Sequence, residues 1–299
     1  MNLDEIAGQF QQAVTTAFEQ AGESGITIKD ALHGTWLGHP AHPMLVTVPI
    51  GAWTTASVLD VVGARGGADA AIGFGILASL PTAAAGLVDW SYTGGKPRRL
   101  GFAHAALNTG ALALYGLSWM ARKGGRRGLG ITLSTVGLSL VGVSGYLGGE
   151  LSYTLGWGVN RNAWSPEVEQ RSPSPSEFVP IIKADEVREG VLTAAEVSLG
   201  ESKVPLVLMR RGREILALNA TCAHLGGPLA DGKLVDEWCV ECPWHQSRFD
   251  FRDGSVRQGP AAYPQPRFEA RIMNDMVEVR PAQSPADTVD RLLGSVSQG

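Results

Sequence analysis

The chain has 299 residues, enough for two domains, and a formal net charge of −4 at pH 7. This slightly acidic balance, with no long basic run, argues against a dedicated nucleic-acid-binding protein. Long stretches rich in Ala, Gly, Leu and Val lie between Met44 and Gly149, whereas the chain from Arg161 onward has the composition of a soluble protein. The contrast predicts a membrane domain followed by a soluble domain.

Residues 1–32 are predicted to form an amphipathic N-terminal helix that lies on a surface. Asp4 and Glu5 make the start of the chain acidic where a signal peptide is basic, so we expect no cleaved signal peptide. Apolar residues recur at helical spacing, namely Leu3, Ile6, Phe10, Val14 and Phe18.

Residues 33–159 are predicted to form a four-helix transmembrane domain. A spanning helix needs about 20 mostly apolar residues. Asp60 is the one acid of the first span, and Pro81 predicts a kink in the second. Basic loops between the spans argue against a buried soluble bundle, so we expect a multi-pass protein of the cell membrane. The four segments are 43–63, 70–88, 99–122 and 127–150.

The remainder is predicted to be a linker, an all-β domain and a tail, which gives α and β structure in separate domains. Residues 160–177 are rich in Ser and Pro and predict an extended linker. Residues 282–299 lack periodicity and predict a flexible tail. Short apolar runs separated by turn residues predict strands within 178–281, at 204–209, 214–218, 238–240, 248–251, 268–272 and 276–279.

Two short motifs in the β domain combine cysteine with histidine. Cys222 and His224 form C-x-H, Cys242 and His245 form C-x-x-H, and seventeen residues separate the motifs. Two thiolates and two imidazoles can hold a [2Fe-2S] cluster, with the cysteines on one iron and the histidines on the other. The same set could bind zinc. Zinc modules usually pair Cys with Cys and His with His, so the mixed pairs favour the cluster.

Residues 222–229 and 242–250, followed by Gly254 and 259–261, resemble a Rieske [2Fe-2S] domain. The resemblance covers about the last third of the chain. It implies that the two motif cysteines bind one iron and the two motif histidines bind the other through a ring nitrogen. It also implies that the histidine edge reaches solvent, where a redox partner protein or a quinone would dock, and that Pro260 belongs to a loop covering the cluster.

Departures from the family pattern concern the surroundings of the cluster. High-potential respiratory Rieske proteins join the two loops by a disulfide, but Gly227 and Trp244 occupy the matching positions here. Ser247 is kept and can donate to a cluster sulfur, whereas Phe249 replaces a tyrosine that often donates as well. Fewer donors imply a ferredoxin-like potential near the low end of the range of roughly −150 to +300 mV. Cys239 is expected to be a buried free thiol.

Ionisable residues flank the predicted spans at one membrane face. Helices in up-and-down order would gather His39, His42, Asp89 and His104 there. Three interpretations stay open: interfacial capping residues, a haem held between His39 or His42 and His104, or a quinone site that also uses Asp89. Segments 39–44, 49–51, 89–90 and 148–153 resemble a family of four-helix bacterial membrane proteins of undefined function.

The main hypothesis is therefore a membrane-anchored Rieske protein that carries single electrons between a membrane donor, quinol or haem, and a redox partner. The alternatives are a ferredoxin for a separate oxygenase and a redox-sensing membrane module. No histidine follows His245, so a self-contained oxygenase with a 2-His-1-carboxylate iron is not expected. Basic residues are balanced across the membrane, and the lack of a structural disulfide favours the cytoplasmic side for the Rieske domain.

Overall fold

The computed structural model describes residues 3–169 and 177–282. The chain divides into two compact units, Met1–Gly158 and Val159–Gly299. The first is helical; the second is all-β apart from the short helix α8 (Pro166–Glu169) and single turns. This confirms the predicted fold class. Residues 170–176 of the predicted linker and 283–299 of the predicted tail lie outside the described residues.

The N-terminal segment consists of two helices, α1 (Leu3–Gln20) and α2 (Gly22–His33). The chain turns at Gly22, whose φ of 57° is readily adopted by glycine. The expectation of one helix was therefore wrong in this respect. The apolar face of α1 packs on the rest of the unit, since the Phe10 ring centroid lies 5.9 Å from that of Trp90.

Four long helices follow and form two packed pairs. The helix α4 packs against α5, and α6 packs against α7. Short connections join the members of each pair, so each pair is an antiparallel hairpin. The bounds are α3 (Ala41–Leu45), α4 (Thr47–Val61), α5 (Arg65–Trp90), α6 (Gly95–Lys123) and α7 (Arg127–Gly149), with a π-helical turn at Glu150–Thr154.

Three helical segments among residues 3–169 and 177–282 are long and apolar enough to cross a membrane: Ala41–Val61, Arg65–Trp90 and Arg127–Thr154. The prediction of four spans is not exact, because α6 is not among them. Small and polar residues dilute its apolar stretch, and basic residues stand at both ends, namely Lys96, Arg98, Arg99, Arg122 and Lys123.

A buried ion-pair network joins the ends of the four long helices. Arg122 Nη2 lies 2.5 Å from Asp60 Oδ2, and Arg122 Nη1 lies 3.3 Å from Asp69 Oδ1. Arg127 contacts the same two carboxylates at 2.6 and 3.0 Å. The Arg122 side chain is fully buried, and removing one partner of such a network leaves an uncompensated charge. The lone acid of the first predicted span is thus paired.

The β unit contains two antiparallel sheets. The six-stranded sheet has the order β1-β10-β9-β4-β3-β2, and the four-stranded sheet has the order β5-β6-β7-β8. The bounds are β1 (Val179–Lys183), β2 (Thr193–Leu199), β3 (Ser202–Arg211), β4 (Glu214–Asn219), β5 (Lys233–Val235), β6 (Cys239–Glu241), β7 (Arg248–Asp250), β8 (Val256–Gln258), β9 (Arg267–Met273) and β10 (Met276–Pro281).

The six predicted strands are confirmed as β3, β4, β6, β7, β9 and β10. The other four carry a weaker pattern: Pro180 interrupts β1, Ala and Glu dilute the apolar pattern of β2, and β5 and β8 have only three residues each. One buried apolar cluster contains Leu218, Phe249 and Phe251 together with Cys222 and Cys242. Both motif cysteines therefore belong to the core, and their surroundings are fixed by packing.

Asp250, at the end of β7, is a buried carboxylate held by two arginines. Its Oδ2 lies 2.6 Å from Arg252 Nη2 and 2.9 Å from Arg257 Nη2, and Oδ1 accepts from the Arg252 N–H. The hydrogen bond from the Arg252 side chain is the largest cause that lowers the pKa of Asp250, to about 2. A lowered folded-state pKa means that this carboxylate stabilises the fold above about pH 4. The contribution is lost as the pH falls towards 2.

We predict that Asp250→Asn destabilises the β unit by about 1–2 kcal/mol at pH 7, a value reduced because both arginines are half-exposed to solvent. Hydrogen–deuterium exchange of peptides covering β7 and β8 in the full chain measures the effect. The control is Asp253→Asn, since Asp253 is exposed, its Oδ2 lies 3.3 Å from Arg257 Nη2, and its other oxygen, which accepts from the Ser255 N–H, is replaced by an amide that can still accept. The difference between wild type and Asp250→Asn should shrink below pH 4; a difference that grows there would contradict the assignment.

Candidate metal centre

The two Cys–His motifs lie in loops with the same backbone hydrogen bonds. The residue four positions after each cysteine, Gly226 or Gln246, donates to the cysteine carbonyl oxygen at 2.8 and 3.0 Å. The N–H of Cys222 and of Cys242 donates to the carbonyl five positions on, at 2.9 and 2.8 Å. Gly226 and Gln246 both have positive φ, 82° and 64°. The histidine follows its cysteine by two positions in the first loop and by three in the second. Two loops with equivalent backbones therefore present their imidazoles from different positions.

The two thiols face each other in the interior. Cys222 is 1% and Cys242 is 2% exposed, and their side chains are hydrogen-bonded. Each sulfur also accepts from the two backbone N–H groups two and three positions after its cysteine. The hydrogen bond from Cys222 lowers the pKa of Cys242 to about 6, while the same contact raises the pKa of Cys222. The N–H groups favour the thiolate, which is the form that binds a metal.

The two imidazoles lie together on the outer side of the site. The ring centroids of His224 and His245 are 5.0 Å apart with the planes at 89°. Both residues are half-buried, and the neighbouring Trp244 is 56% exposed. The site therefore has a buried thiol side and an imidazole side that reaches the surface.

This separation into pairs fits a two-iron cluster better than a single ion. Tetrahedral zinc needs four ligands at about 2.0–2.3 Å from one point. In the described part of the chain, no group of three or more His, Cys, Asp or Glu side chains could hold one metal ion. A [2Fe-2S] cluster takes one pair of ligands on each iron, as the paired thiols and paired imidazoles allow.

Gly227 and Trp244, the positions matched to the respiratory disulfide, lie against each other. A Cβ atom built on Gly227 would stand 2.7 Å from Cys242 Sγ and 3.1 Å from Trp244 Cγ. A real Cβ does not approach a neighbour that closely, so the glycine brings the first loop onto the second. All three cysteines of the chain are free, including the buried Cys239.

Ser247 connects the second loop to the segment that follows β8. Its buried hydroxyl oxygen accepts from the Ala261 N–H at 2.9 Å, a contact that does not use the hydroxyl hydrogen. Pro260 is buried, and the Gly259–Pro260 peptide is cis. Phe249 is fully buried in the same apolar cluster as the motif cysteines.

Gln265 braces the first loop, and sequence reasoning did not identify it. Its Oε1 accepts from the Ala223 N–H at 3.0 Å, and its Nε2 donates to the carbonyl oxygens of Asn219 and Thr221 at 2.6 and 2.7 Å. These bonds satisfy backbone groups on both sides of Cys222. A single glutamine in a loop gives no sequence signal of this role.

Residues 160–169 also support this loop, although composition assigned them to an extended linker. The Arg161 N–H donates to the Ala223 carbonyl oxygen at 3.0 Å, and Asn162 Nδ2 donates to the Thr221 carbonyl oxygen at 2.9 Å. Turns and helix α8 then follow. An extended conformation is therefore wrong for 160–169, because side-chain and backbone donors tie this part to the β unit.

In the helical unit, the structure brings together only part of the predicted histidine and acid group. The ring centroids of His42 and His104 are 6.4 Å apart. Asp89 is paired elsewhere, with its Oδ1 2.7 Å from Nδ1 of His33, a buried residue outside the predicted group. His39 is exposed. His33 could have been included from sequence, since it also precedes the first span.

Comparison with known proteins identifies both halves. Residues 177–269 match the Rieske [2Fe-2S] domain, and residues 38–161 match the family described as "Predicted membrane protein (DUF2231)". The chain is 34% identical over 104 residues to the anthranilate 1,2-dioxygenase ferredoxin subunit of Burkholderia cepacia, covering 35% of this chain and 92% of that protein. The chain belongs to the Rieske [2Fe-2S] domain family. Its Rieske domain carries a [2Fe-2S] cluster.

Other relatives match the same part of this Rieske protein. The biphenyl 2,3-dioxygenase ferredoxin component of Rhodococcus jostii (strain RHA1) is 33% identical over 79 residues, which is 26% of this chain and 73% of that protein. Among solved structures, the ferredoxin of carbazole 1,9a-dioxygenase from Nocardioides aromaticivorans IC177 is 26% identical, covers 36% of this chain and 100% of that chain, and has a TM-score of 0.32.

We predict that Gly227→Ala strongly lowers the iron and acid-labile sulfide bound per chain, because its methyl group would collide with Cys242 Sγ. The control is Gly226→Ala, where the nearest atom to the new Cβ is 3.8 Å away and the cost is the positive φ alone, about 1–2 kcal/mol. This control should keep most of its cluster. Equal cluster contents in the two variants would show that the close approach of Gly227 is unimportant.

Proposed function

We propose that the protein is a membrane-anchored Rieske carrier that passes single electrons between a membrane donor, quinol or haem, and a redox partner protein. In this proposal Cys222 and Cys242 bind one iron, and His224 and His245 bind the other. The observation that carries it is the two-sided site, with buried thiols and imidazoles at the surface. An electron then enters and leaves through the imidazole edge, where the path to a partner is shortest.

The surface around His245 supports docking of a partner at this edge. The Trp244 ring is exposed, and its centroid lies 6.5 Å from that of His245. Pro243 and Gln246 beside it are exposed too. Exposed aromatic residues are enriched at protein interfaces, since they bury a large area with few rotatable bonds. A partner covering Trp244 would therefore approach the histidine side of the cluster.

A second candidate is the ferredoxin component of a separate oxygenase. It is supported by the relatives named as ferredoxin subunits of dioxygenases, 33–34% identical to this chain over most of their own length. In this role the mononuclear iron would belong to the partner enzyme. For either function we place the Rieske domain on the cytoplasmic side, because no disulfide joins its cysteines and disulfides are rare in a reducing compartment.

Pulsed EPR of the reduced full-length protein labelled with ¹⁵N-histidine tests the ligand assignment. We expect hyperfine coupling to two imidazole nitrogens in the wild type, and loss of the cluster in Cys242→Ser and His245→Ala. The matched control is Cys239→Ser, which removes a buried thiol outside the site and should keep the cluster. Coupling to fewer than two imidazoles, or stoichiometric zinc in place of the cluster, would refute the assignment.

The donors near the cluster predict two opposite shifts of its reduction potential. Ser247→Ala removes a hydrogen-bond donor and should lower the potential, whereas Phe249→Tyr adds a donor and should raise it. A hydrogen bond contributes about 1 kcal/mol, which corresponds to roughly 40 mV for a one-electron couple. Redox titration of each full-length variant measures the shifts. Shifts of the same sign would mean that packing, not hydrogen bonding, controls the potential.

A further inference from the structure

The helical unit consists of two copies of one hairpin. Asp60 and Arg122 are separated by 62 positions, and the same offset relates α4 with α5 to α6 with α7. The turns match in conformation, since φ is 77° at Gly63 and 78° at Gly125, and the next helix begins two residues later in both. Identical residues at this offset include Ala41 and Ala103, His42 and His104, Thr47 and Thr109, Arg65 and Arg127, Gly75 and Gly137, and Gly86 and Gly148.

Equivalent residues of the two copies meet each other along the bundle. The rings of Trp53 and Tyr115 are stacked at 4.0 Å with the planes at 8°. Residues related by a two-fold rotation can touch only beside the axis, so such pairs mark a quasi-two-fold axis between the hairpins. The pairs that meet are His42 with His104, Trp53 with Tyr115, and Asp60 with Arg122. The histidine pair lies on this axis at one end.

Both histidines of the pair are held in the same tautomer. His42 Nδ1 lies 2.9 Å from the Thr82 carbonyl oxygen, and His104 Nδ1 lies 2.8 Å from the Ser144 carbonyl oxygen. A carbonyl oxygen only accepts, so Nδ1 carries the hydrogen in each ring and Nε2 carries the lone pair. Asn108 Nδ2, 3.0 Å from His104 Nε2, is a donor aimed at that lone pair.

A glycine beneath each ring fixes its position. A Cβ built on Gly86 would stand 2.8 Å from His42 Cε1, and a Cβ built on Gly148 would stand 3.3 Å from His104 Cε1. Each imidazole therefore lies directly on the backbone of the neighbouring helix. The histidine, the carbonyl acceptor and the glycine therefore occur together in both copies, at the same offset of 62 positions.

We propose that His42 and His104 are the axial ligands of a b-type haem bound between the two hairpins. Two imidazole nitrogens, each about 2 Å from one ion, place their ring centroids roughly 6 Å apart. The centroids here are 6.4 Å apart. Histidines that bind a metal usually donate their other N–H to a carboxylate or a backbone carbonyl, as both do here.

The small number of protein ligands at the pair favours haem over a bare metal ion. In the parts of the chain that the structure describes, no third His, Cys, Asp or Glu joins the pair to form a metal site. Zinc would need further protein ligands, whereas the porphyrin supplies four nitrogens and leaves two axial positions to the protein. This haem would be the membrane donor of the proposed function, so its role as a donor rests on that proposed function. Haem binding itself is measured separately from the cluster.

The test is the haem content of the full-length protein, purified in detergent from cells supplied with haem. We expect one b-type haem per chain by pyridine haemochrome, with the near-infrared magnetic circular dichroism band of bis-histidine ligation in the wild type. His42→Ala and His104→Ala should each lose haem at least tenfold. The control His39→Ala, at an exposed position, should keep it. Asn108→Ala should bind haem more tightly, because the competing donor to Nε2 is removed.

The EPR signal of the Rieske cluster is recorded on the same samples. Its persistence in the histidine variants shows that the β unit is folded, so loss of haem and failure of the cluster assignment are distinguishable. A wild-type protein that binds no added haemin, haem retained in both histidine variants, or stoichiometric zinc or copper at the pair would each overturn the proposal. The wild-type ligation spectrum decides the question if a variant does not accumulate.

Discussion

Two thiols packed face to face in an apolar core are the constraint on which the Rieske domain depends. Burying a thiolate is costly unless hydrogen bonds and positive charge compensate it. Two backbone N–H groups aimed at each sulfur supply part of the compensation, and in the proposed ligand assignment iron would supply the rest. The loops must therefore hold their N–H groups in place. The loops are held by their matched backbone hydrogen bonds, by the residues with positive φ and by the hydrogen bonds of Gln265.

The same constraint determines how the centre can act. Because the sulfur side is packed into the core, the proposed function has electrons reach the cluster through the imidazole side. Where respiratory proteins place a disulfide between the loops, this chain has the close packing of Gly227 on Trp244. The indole is thereby held at the surface beside His245, so one residue contributes to loop packing and to the exposed face of the site.

The sequence predicted the Cys–His motifs more completely than the residues that hydrogen-bond to their loops. The mixed Cys–His spacing identified the cluster type, and alternating apolar runs located the six strongest strands. Gln265 was not predicted because its hydrogen bonds are with backbone groups that are distant in sequence. Residues 160–169 were assigned to a linker because composition does not show that Asn162 reaches the Thr221 carbonyl oxygen.

In the helical unit, counting apolar segments gave four spans, whereas three described helical segments are long and apolar enough to cross a membrane, because basic ends and small polar residues make α6 less apolar than its length suggests. Helix order gathered the ionisable residues at one face but could not show that Asp89 pairs with His33. The duplication was visible in principle, since His42 and His104 share an offset with Gly86 and Gly148. Only the contacts between equivalent residues show that the two hairpins are related by a quasi-two-fold axis.

An optical redox titration of the detergent-solubilised full-length protein measures whether the chain holds a low-potential Rieske cluster. We expect the cluster to titrate as a one-electron couple near the low end of the Rieske range of roughly −150 to +300 mV, because Gly227 and Trp244 replace the disulfide between the loops and Phe249 adds no hydrogen-bond donor. A cluster that titrates near the top of that range, or a protein with no one-electron cluster transition, would contradict it.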